Sequence, residues 1–185
     1  MFERIRTLDN KVVERITALH SNVMDKLMVI ATYAGTGAFV WWVALVLPFI
    51  ISFKYRKVGI ILIVSLGLNY VIGEILIKKT VGRDRPSTQI SQSDIIIAKP
   101  KDHSFPSGHT ASSFCSFAVT LLCCPPVIWI PAMFGAFLIA FSRLYLRVHY
   151  LSDVLGGLVL GLFDGTMITL VFMQFVFPNI HVSFL

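Results

Sequence analysis

This 185-residue chain reads as an all-α fold, a polytopic membrane helix bundle of about five to six transmembrane helices preceded by an amphipathic interfacial helix. Three observations lead there. The chain is 56% hydrophobic and 14% charged, where a soluble domain carries about a quarter charged residues. Its mean hydropathy is +0.77, so a water-soluble fold would expose apolar surface that a bilayer accepts as its solvent. Finally, the uncharged runs are long enough to cross hydrocarbon. Residues 1–23 are expected to form the interfacial helix and residues 24–185 a single transmembrane unit.

Along residues 1–20, Phe2, Ile5, Leu8, Val12, Ile16 and Leu19 recur every three or four positions, with Arg4, Arg6, Lys11, Glu14 and Arg15 between them. That spacing is an amphipathic helix. It has no unbroken apolar core of signal-peptide type, so it is expected to persist. Its apolar stripe suits either the headgroup plane or the protein's own loops. From Leu27 to Phe53 there is no Asp, Glu, Lys or Arg over 27 residues, more than the roughly 20 a crossing needs. Gly35 and Gly37 are positioned to bend this first span. Lys54, Arg56 and Lys57 close it, and a second span is expected over 58–77.

The polar stretch from Lys78 to Ser104 is the one long loop, and such loops usually carry function. Next come 40 residues, 103–142, without a charged side chain, about 60 Å as one helix. Pro125 and Pro126 mark where this run must fold back, giving spans over 107–124 and 127–142. A fifth crossing is expected over 153–177. Because each crossing changes sides, the 78–104 loop and the 143–152 stretch fall on one membrane face.

Three clusters therefore share that face. Lys78, Arg85 and Pro86 lie at the lip of span two, where Gly82 permits the turn that would let both cations meet one anion; flanking charge of the positive-inside kind has the same appearance. Pro106, Ser107, Gly108 and His109 open span three. Free N–H groups at a helix start, with a close-approach glycine and a hydroxyl, make a phosphate corner, and His109 is placed to give a proton. An ordinary Ser N-cap fits the same residues. Ser142, Arg143, His149 and Asp153 form the third cluster. Four residues apart on a helix, Asp153 would accept the Nδ1 proton of His149 and leave Nε2 as a lone pair that can itself be the nucleophile. A polar i,i+4 pair at a helix start is the plainer reading.

Together these eleven positions, from Lys78 to Asp153, resemble the type 2 phosphatidic acid phosphatase superfamily, the membrane lipid phosphatases related to the vanadium haloperoxidases. The resemblance implies a metal-independent phosphatase with no cofactor. His149 would attack phosphorus to form a phosphohistidine, Asp153 would steady the imidazole, and His109 would protonate the leaving oxygen. Lys78, Arg85, Ser107, Gly108 and Arg143 would hold the phosphate oxygens. The implied partners are a lipid phosphate substrate and membrane lipids, with undecaprenyl diphosphate first, then phosphatidylglycerophosphate, phosphatidic acid and lipid A phosphates. The reading from another class is a non-catalytic lipid binder or transporter, which needs the cations but not an oriented imidazole.

The net charge of +6 suits anionic lipid headgroups. No basic patch interleaved with aromatics appears, so nucleic acid is not expected. Cys115, Cys123 and Cys124 all lie in apolar segments and form neither a disulfide framework nor a metal-ligand spacing. Glu74 precedes Lys78 by one helical turn and is expected to pair with it or simply to bridge the helix surface, and Asp164 is expected to face the bundle interior. Ile95 to Ile97 either dip into the bilayer beside the site or pack on the loop. His20, His103 and His181 are expected at the interface, with His103 within reach of a headgroup. On sidedness the cues conflict. Thirteen of the 16 Lys and Arg fall on the site face, which puts it in the cytoplasm by the positive-inside rule; the resemblance implies an extracytoplasmic site in the cell membrane, and that is the expectation adopted.

Overall fold

A computed structural model describes residues 2–91 and 95–178, and among these it is helical without a strand; the expectation for His181 lies outside them. Six helices organise the chain. α1 is Phe2–Thr17, α2 Asn22–Ile51, α3 Arg56–Val81, α4 Gly108–Cys123, α5 Pro126–Tyr145 and α6 Leu151–Val176. Four of them, α2, α3, α5 and α6, are long and apolar enough to cross a membrane. The remaining expected crossing, over 107–124, is α4, whose 16 residues make only about 24 Å, short of a hydrocarbon core of about 30 Å.

α4 is the hub of the bundle. It packs against α6, α5 and α3, and Ala111, Phe114, Cys115, Ala118 and Val119 are all buried. The approach to α6 is close because Gly157, Gly161 and Gly165 recur every fourth residue; a Cβ at Gly161 would collide with the Ala111 carbonyl, and one at Gly165 would stand 2.6 Å from the Cys115 carbonyl. Small residues at this spacing let helix backbones meet where lipid offers no hydrophobic drive for association. The outside is correspondingly apolar: Ile51, Phe53, Phe134, Phe163 and Phe175 are exposed, while Ser113, Ser116, Thr120 and Asp164 are buried. Asp164 does face the interior, accepting from Asn69 Nδ2 at 2.9 Å.

The first span breaks where its glycines lie. Gly37 and Ala38 both take left-handed backbone angles (φ 57°), so Asn22–Gly35 and the stretch after it are two rods rather than one. α1 forms as its periodicity predicts. Ile16 packs against the core, whereas Ile5 and Leu8 stay exposed.

Three boundaries move relative to expectation. α3 runs on to Val81, through a π-helical stretch at Val71–Ile77, and stops at the left-handed Gly82. Lys78 therefore stands on a helix, not in the loop. α5 likewise extends to Tyr145, placing Ser142 and Arg143 on its last turns, and α6 begins at Leu151 with Tyr150 as its N-cap. The predicted convergence holds: the C-terminal ends of α3 and α5 and the N-terminal ends of α4 and α6 meet around one cavity.

Candidate active site

That cavity has a volume of about 630 Å³ and is lined by Lys78, Arg85, Gly108, His109, Arg143 and His149. Six residues spread over 72 positions in sequence thus share one space. Its other walls are the broken first span, through Thr32, Gly35 and Thr36, and α3, through Leu66, Asn69 and Gly73. One end is cationic, through Lys78, Arg85 and Arg143, and the rest is mostly apolar.

Arg85 is saturated. Its Nε donates to the Asp102 carbonyl (2.8 Å), Nη2 to Asp102 Oδ1 and the His103 carbonyl (both 3.0 Å), and Nη1 to the Val148 carbonyl (2.7 Å). The remaining Nη1 hydrogen faces His149 Nε2 at 2.9 Å. Guanidinium has no acceptor, so Nε2 must carry the lone pair and the imidazole proton resides on Nδ1. Burial, followed by the positive charges of Arg85, Arg143 and Lys78, holds the His149 pKa well below the ordinary imidazole value. The ring is neutral.

His149 and Asp153 are not related as expected. His149 lies in the turn before α6, and Asp153 is the third residue of the helix, accepting from the Tyr150 N–H at 2.8 Å as half of a capping box. The capping geometry, not helical periodicity, brings the two together. Asp153 Oδ2 stands 3.6 Å from His149 Nδ1, too far for a hydrogen bond, and Nδ1 is buried without a hydrogen-bond partner among the described residues. Catalytic hydrogen bonds are often this loose before substrate binds.

Ser107 and Gly108 open α4 at the expected residues. Ser107 is fully buried and is an N-cap, accepting from Thr110 N (3.4 Å) and Thr110 Oγ1 (2.9 Å); only its own O–H is left to offer an anion. Its N–H donates to the Asp153 carbonyl at 3.0 Å, locking the second cluster to the third. Gly108 does accommodate an anion at its backbone, and that anion is Glu74, whose Oε1 a Cβ at Gly108 would strike. The same carboxylate takes Lys78 Nζ at 2.8 and 2.7 Å, and Asp102 Oδ2 takes it at 2.6 Å. The expected Glu74–Lys78 pair is thus present. His109 lies within 3.3 Å of Thr36 Oγ1 through Nε2. Arg143 donates from Nη1 to Thr32 and keeps a buried Nε without a partner among the described residues.

Sequence reasoning missed three acids and bases here. Asp102 clamps Lys78 and Arg85 together, and although burial opposes it, the Lys78 hydrogen bond and the Arg85 charge hold its carboxyl below the ordinary range. Arg83 bridges Asp9 (2.7 Å) and Asp153 (2.7 Å). The signal for Asp9 was available, since it falls four after Ile5 and three before Val12, inside the apolar stripe. Ile95 is buried and Ile97 lines the cavity, while Ile96 is exposed. His20 is more than interfacial: its Nδ1 meets Asp25 Oδ1 at 2.8 Å, and Tyr145 donates to the same oxygen at 2.6 Å.

Residues 58–179 match the PAP2 superfamily. The chain belongs to the PAP2 superfamily. This PAP2 protein is 32% identical over 120 residues to an undecaprenyl-diphosphatase of Sulfolobus acidocaldarius, covering 65% of this chain and 58% of that one, so it spans little over half the length of that relative. It is 27% identical over 178 residues to a lipid A 4'-phosphatase of Bacteroides thetaiotaomicron, covering 89% and 77%. The crystal structure of a transmembrane PAP2-type phosphatidylglycerolphosphate phosphatase from Bacillus subtilis superimposes with a TM-score of 0.77 at 23% identity, over 93% of this chain and 88% of that one. That likeness shows the fold. The chain is an all-helical PAP2 protein whose described residues include four helices long and apolar enough to cross a membrane.

Proposed function

We propose that this PAP2 phosphatase removes the terminal phosphate of a lipid diphosphate, with undecaprenyl diphosphate as substrate, through a phosphohistidine on His149. One observation carries the reading: the lone-pair nitrogen of a neutral, buried imidazole faces a cavity shared with Lys78, Arg85 and Arg143. Nε2 attacks phosphorus, the bond from phosphorus to the bridging oxygen breaks, and His109 gives that oxygen a proton. Water then attacks the phosphohistidine, returns a proton to His109, and frees inorganic phosphate and His149. The three cations, the Gly108 N–H and the Ser107 hydroxyl hold the phosphoryl oxygens as charge redistributes, and Asp153 stabilises the imidazolium as it forms.

The relative from Sulfolobus acidocaldarius supports the diphosphate as substrate. The lipid A relative supports the alternatives, a lipid A phosphate, phosphatidylglycerophosphate or phosphatidic acid. A side-by-side assay of phosphate release from these lipids in detergent decides among them; undecaprenyl diphosphate is expected to give the highest kcat/KM, and a phosphatidate turned over faster would replace it. A non-catalytic lipid binder would use the cations but has no need of a pinned imidazole, and it would release no phosphate from any of the panel.

The site is proposed to face away from the cytoplasm in the cell membrane. A cysteine introduced at exposed Lys101 should react with a membrane-impermeant maleimide in intact cells. Labelling only after permeabilisation would place the site inside.

A further inference from the structure

α1 is an exposed amphipathic helix with one buried side chain among those described, and that side chain is an acid. Asp9 is 2% exposed, and every hydrogen bond found for it is to the catalytic end of the molecule. Its Oδ1 accepts from the Ser152 N–H at 2.9 Å, and its Oδ2 accepts from Ser152 Oγ at 2.6 Å and from Arg83 Nη2 at 2.7 Å. Ser152 is the second residue of α6, so Asp9 caps that helix from another element, satisfying one of the N–H groups a helix start leaves free. The other terminal nitrogen of Arg83, Nη1, donates to Ser152 Oγ at 2.6 Å and to Asp153 Oδ1 at 2.7 Å. The guanidinium also lies over the Tyr150 ring, 4.3 Å from its centroid. Arg83 is therefore fixed on three sides, and one of them is α1.

The geometry points to Asp9 and Arg83 as positioning residues for the nucleophile, with the interfacial helix as an integral part of the catalytic apparatus. Asp153 has two oxygens. One is held by the Tyr150 N–H and is the one nearest His149 Nδ1; the other is held by Arg83. The plane of the carboxylate, and so the approach of Oδ2 to the imidazole, is set by where Arg83 sits, and Asp9 sets that. Removing Asp9 takes one anchor from Arg83, frees the α6 N-terminus and loosens the hold on Asp153. The phosphate cradle of Lys78, Arg85, Arg143, Ser107 and Gly108 makes none of its proposed phosphate contacts through these atoms and should keep its affinity. This inference rests on the assignment of His149 as nucleophile.

The test measures kcat, KM and the competitive inhibition constant of inorganic phosphate for purified D9A, D9N and D9E, with H149A as reference. Asp9→Asn keeps an oxygen for the Ser152 N–H but presents no charge to Arg83. Both D9A and D9N are expected to lose about 10- to 100-fold in kcat, about 1.4 to 2.7 kcal/mol, with KM and the phosphate constant within twofold. Asp9→Glu, which retains the charge, should recover at least threefold over D9A. Wild-type kcat in D9N, or losses shared equally by KM and the phosphate constant, would overturn the inference, the latter by showing general distortion. Failure of both D9A and D9N to yield monodisperse protein would also overturn it, by making Asp9 a folding residue. Full activity in H149A would instead bring down the nucleophile assignment itself.

Discussion

Arg85 Nη1 and His149 Nε2 are hydrogen-bonded at 2.9 Å, so the atom proposed to attack phosphorus is held by one of the cations proposed to bind phosphate. One lone pair cannot serve both partners. Substrate must take over the Arg85 N–H, and the phosphoryl oxygen that does so arrives beside Nε2 in the same movement. In the proposed mechanism, binding and release of the nucleophile are thus a single event.

The tautomer follows from this pair and can be read directly. In ¹⁵N spectra of histidine-labelled enzyme in micelles, His149 should show a protonated Nδ1 and an unprotonated Nε2, and it should remain neutral as pH falls through 6.5. Because the folded-state pKa is depressed, its contribution to stability is complete above about pH 6.5 and is eroded as pH falls toward the folded value. An Nε2–H signal, or titration at or above the ordinary imidazole pKa, would contradict the assignment.

Glu74 stands where a substrate anion is expected, against Gly108 and on Lys78. Phosphate must displace it, so Glu74→Gln should lower KM about three- to tenfold, by weakening a competing charge, while kcat changes by less than threefold. Steady-state kinetics on a soluble phosphate monoester check this. A raised KM would show that Glu74 orients Lys78 rather than competing for it.

Backbone contact between α4 and α6 should dominate stability. Gly161→Ala places a methyl against the Ala111 carbonyl, and overpacking of this kind costs about 1–3 kcal/mol. Thermal unfolding in detergent should shift downward by several degrees relative to wild type, with a parallel loss of activity because α4 and α6 carry His109 and Asp153. An unchanged midpoint would mean the helices separate freely.

In the proposed mechanism three cations and a helix N-terminus supply the positive charge the transition state needs. Turnover is therefore expected to stay within twofold of the control after exhaustive EDTA treatment, and vanadate, which adopts a five-coordinate geometry, should inhibit competitively. Loss of activity in EDTA that returns on adding a divalent ion would contradict this.

The site was legible in the sequence where residue type and order carried it. The clusters at Lys78 and Arg85, at Gly108 and His109, and at Arg143 and His149 do converge on one cavity, because the chain turns back at Pro125 and Pro126 and α5 packs against α4 on its return. What remained hidden depended on local geometry. The contact of His149 with Asp153 looks like an i,i+4 helical pair but comes from a capping box, since α6 starts two residues after His149. Ser107 reads as a phosphate donor from sequence, and its oxygen also serves as the N-cap acceptor for Thr110. Asp102 and Arg83 were hidden for another reason: their partners lie 17 to 74 residues away, and no spacing rule connects a loop acid to a helix it merely touches. The fold was legible to within a few residues at each end, except that α4 proved too short to span alone and was recognised by its lack of charge rather than by length.

The most direct test is capture of the covalent intermediate. Enzyme mixed with a phosphorus-32-labelled substrate and quenched in alkali, where phosphohistidine survives, should carry label on a peptide containing His149, at Nε2, and H149A should fold, carry no label and release no phosphate. Label on His109, or wild-type turnover by H149A, would contradict the account.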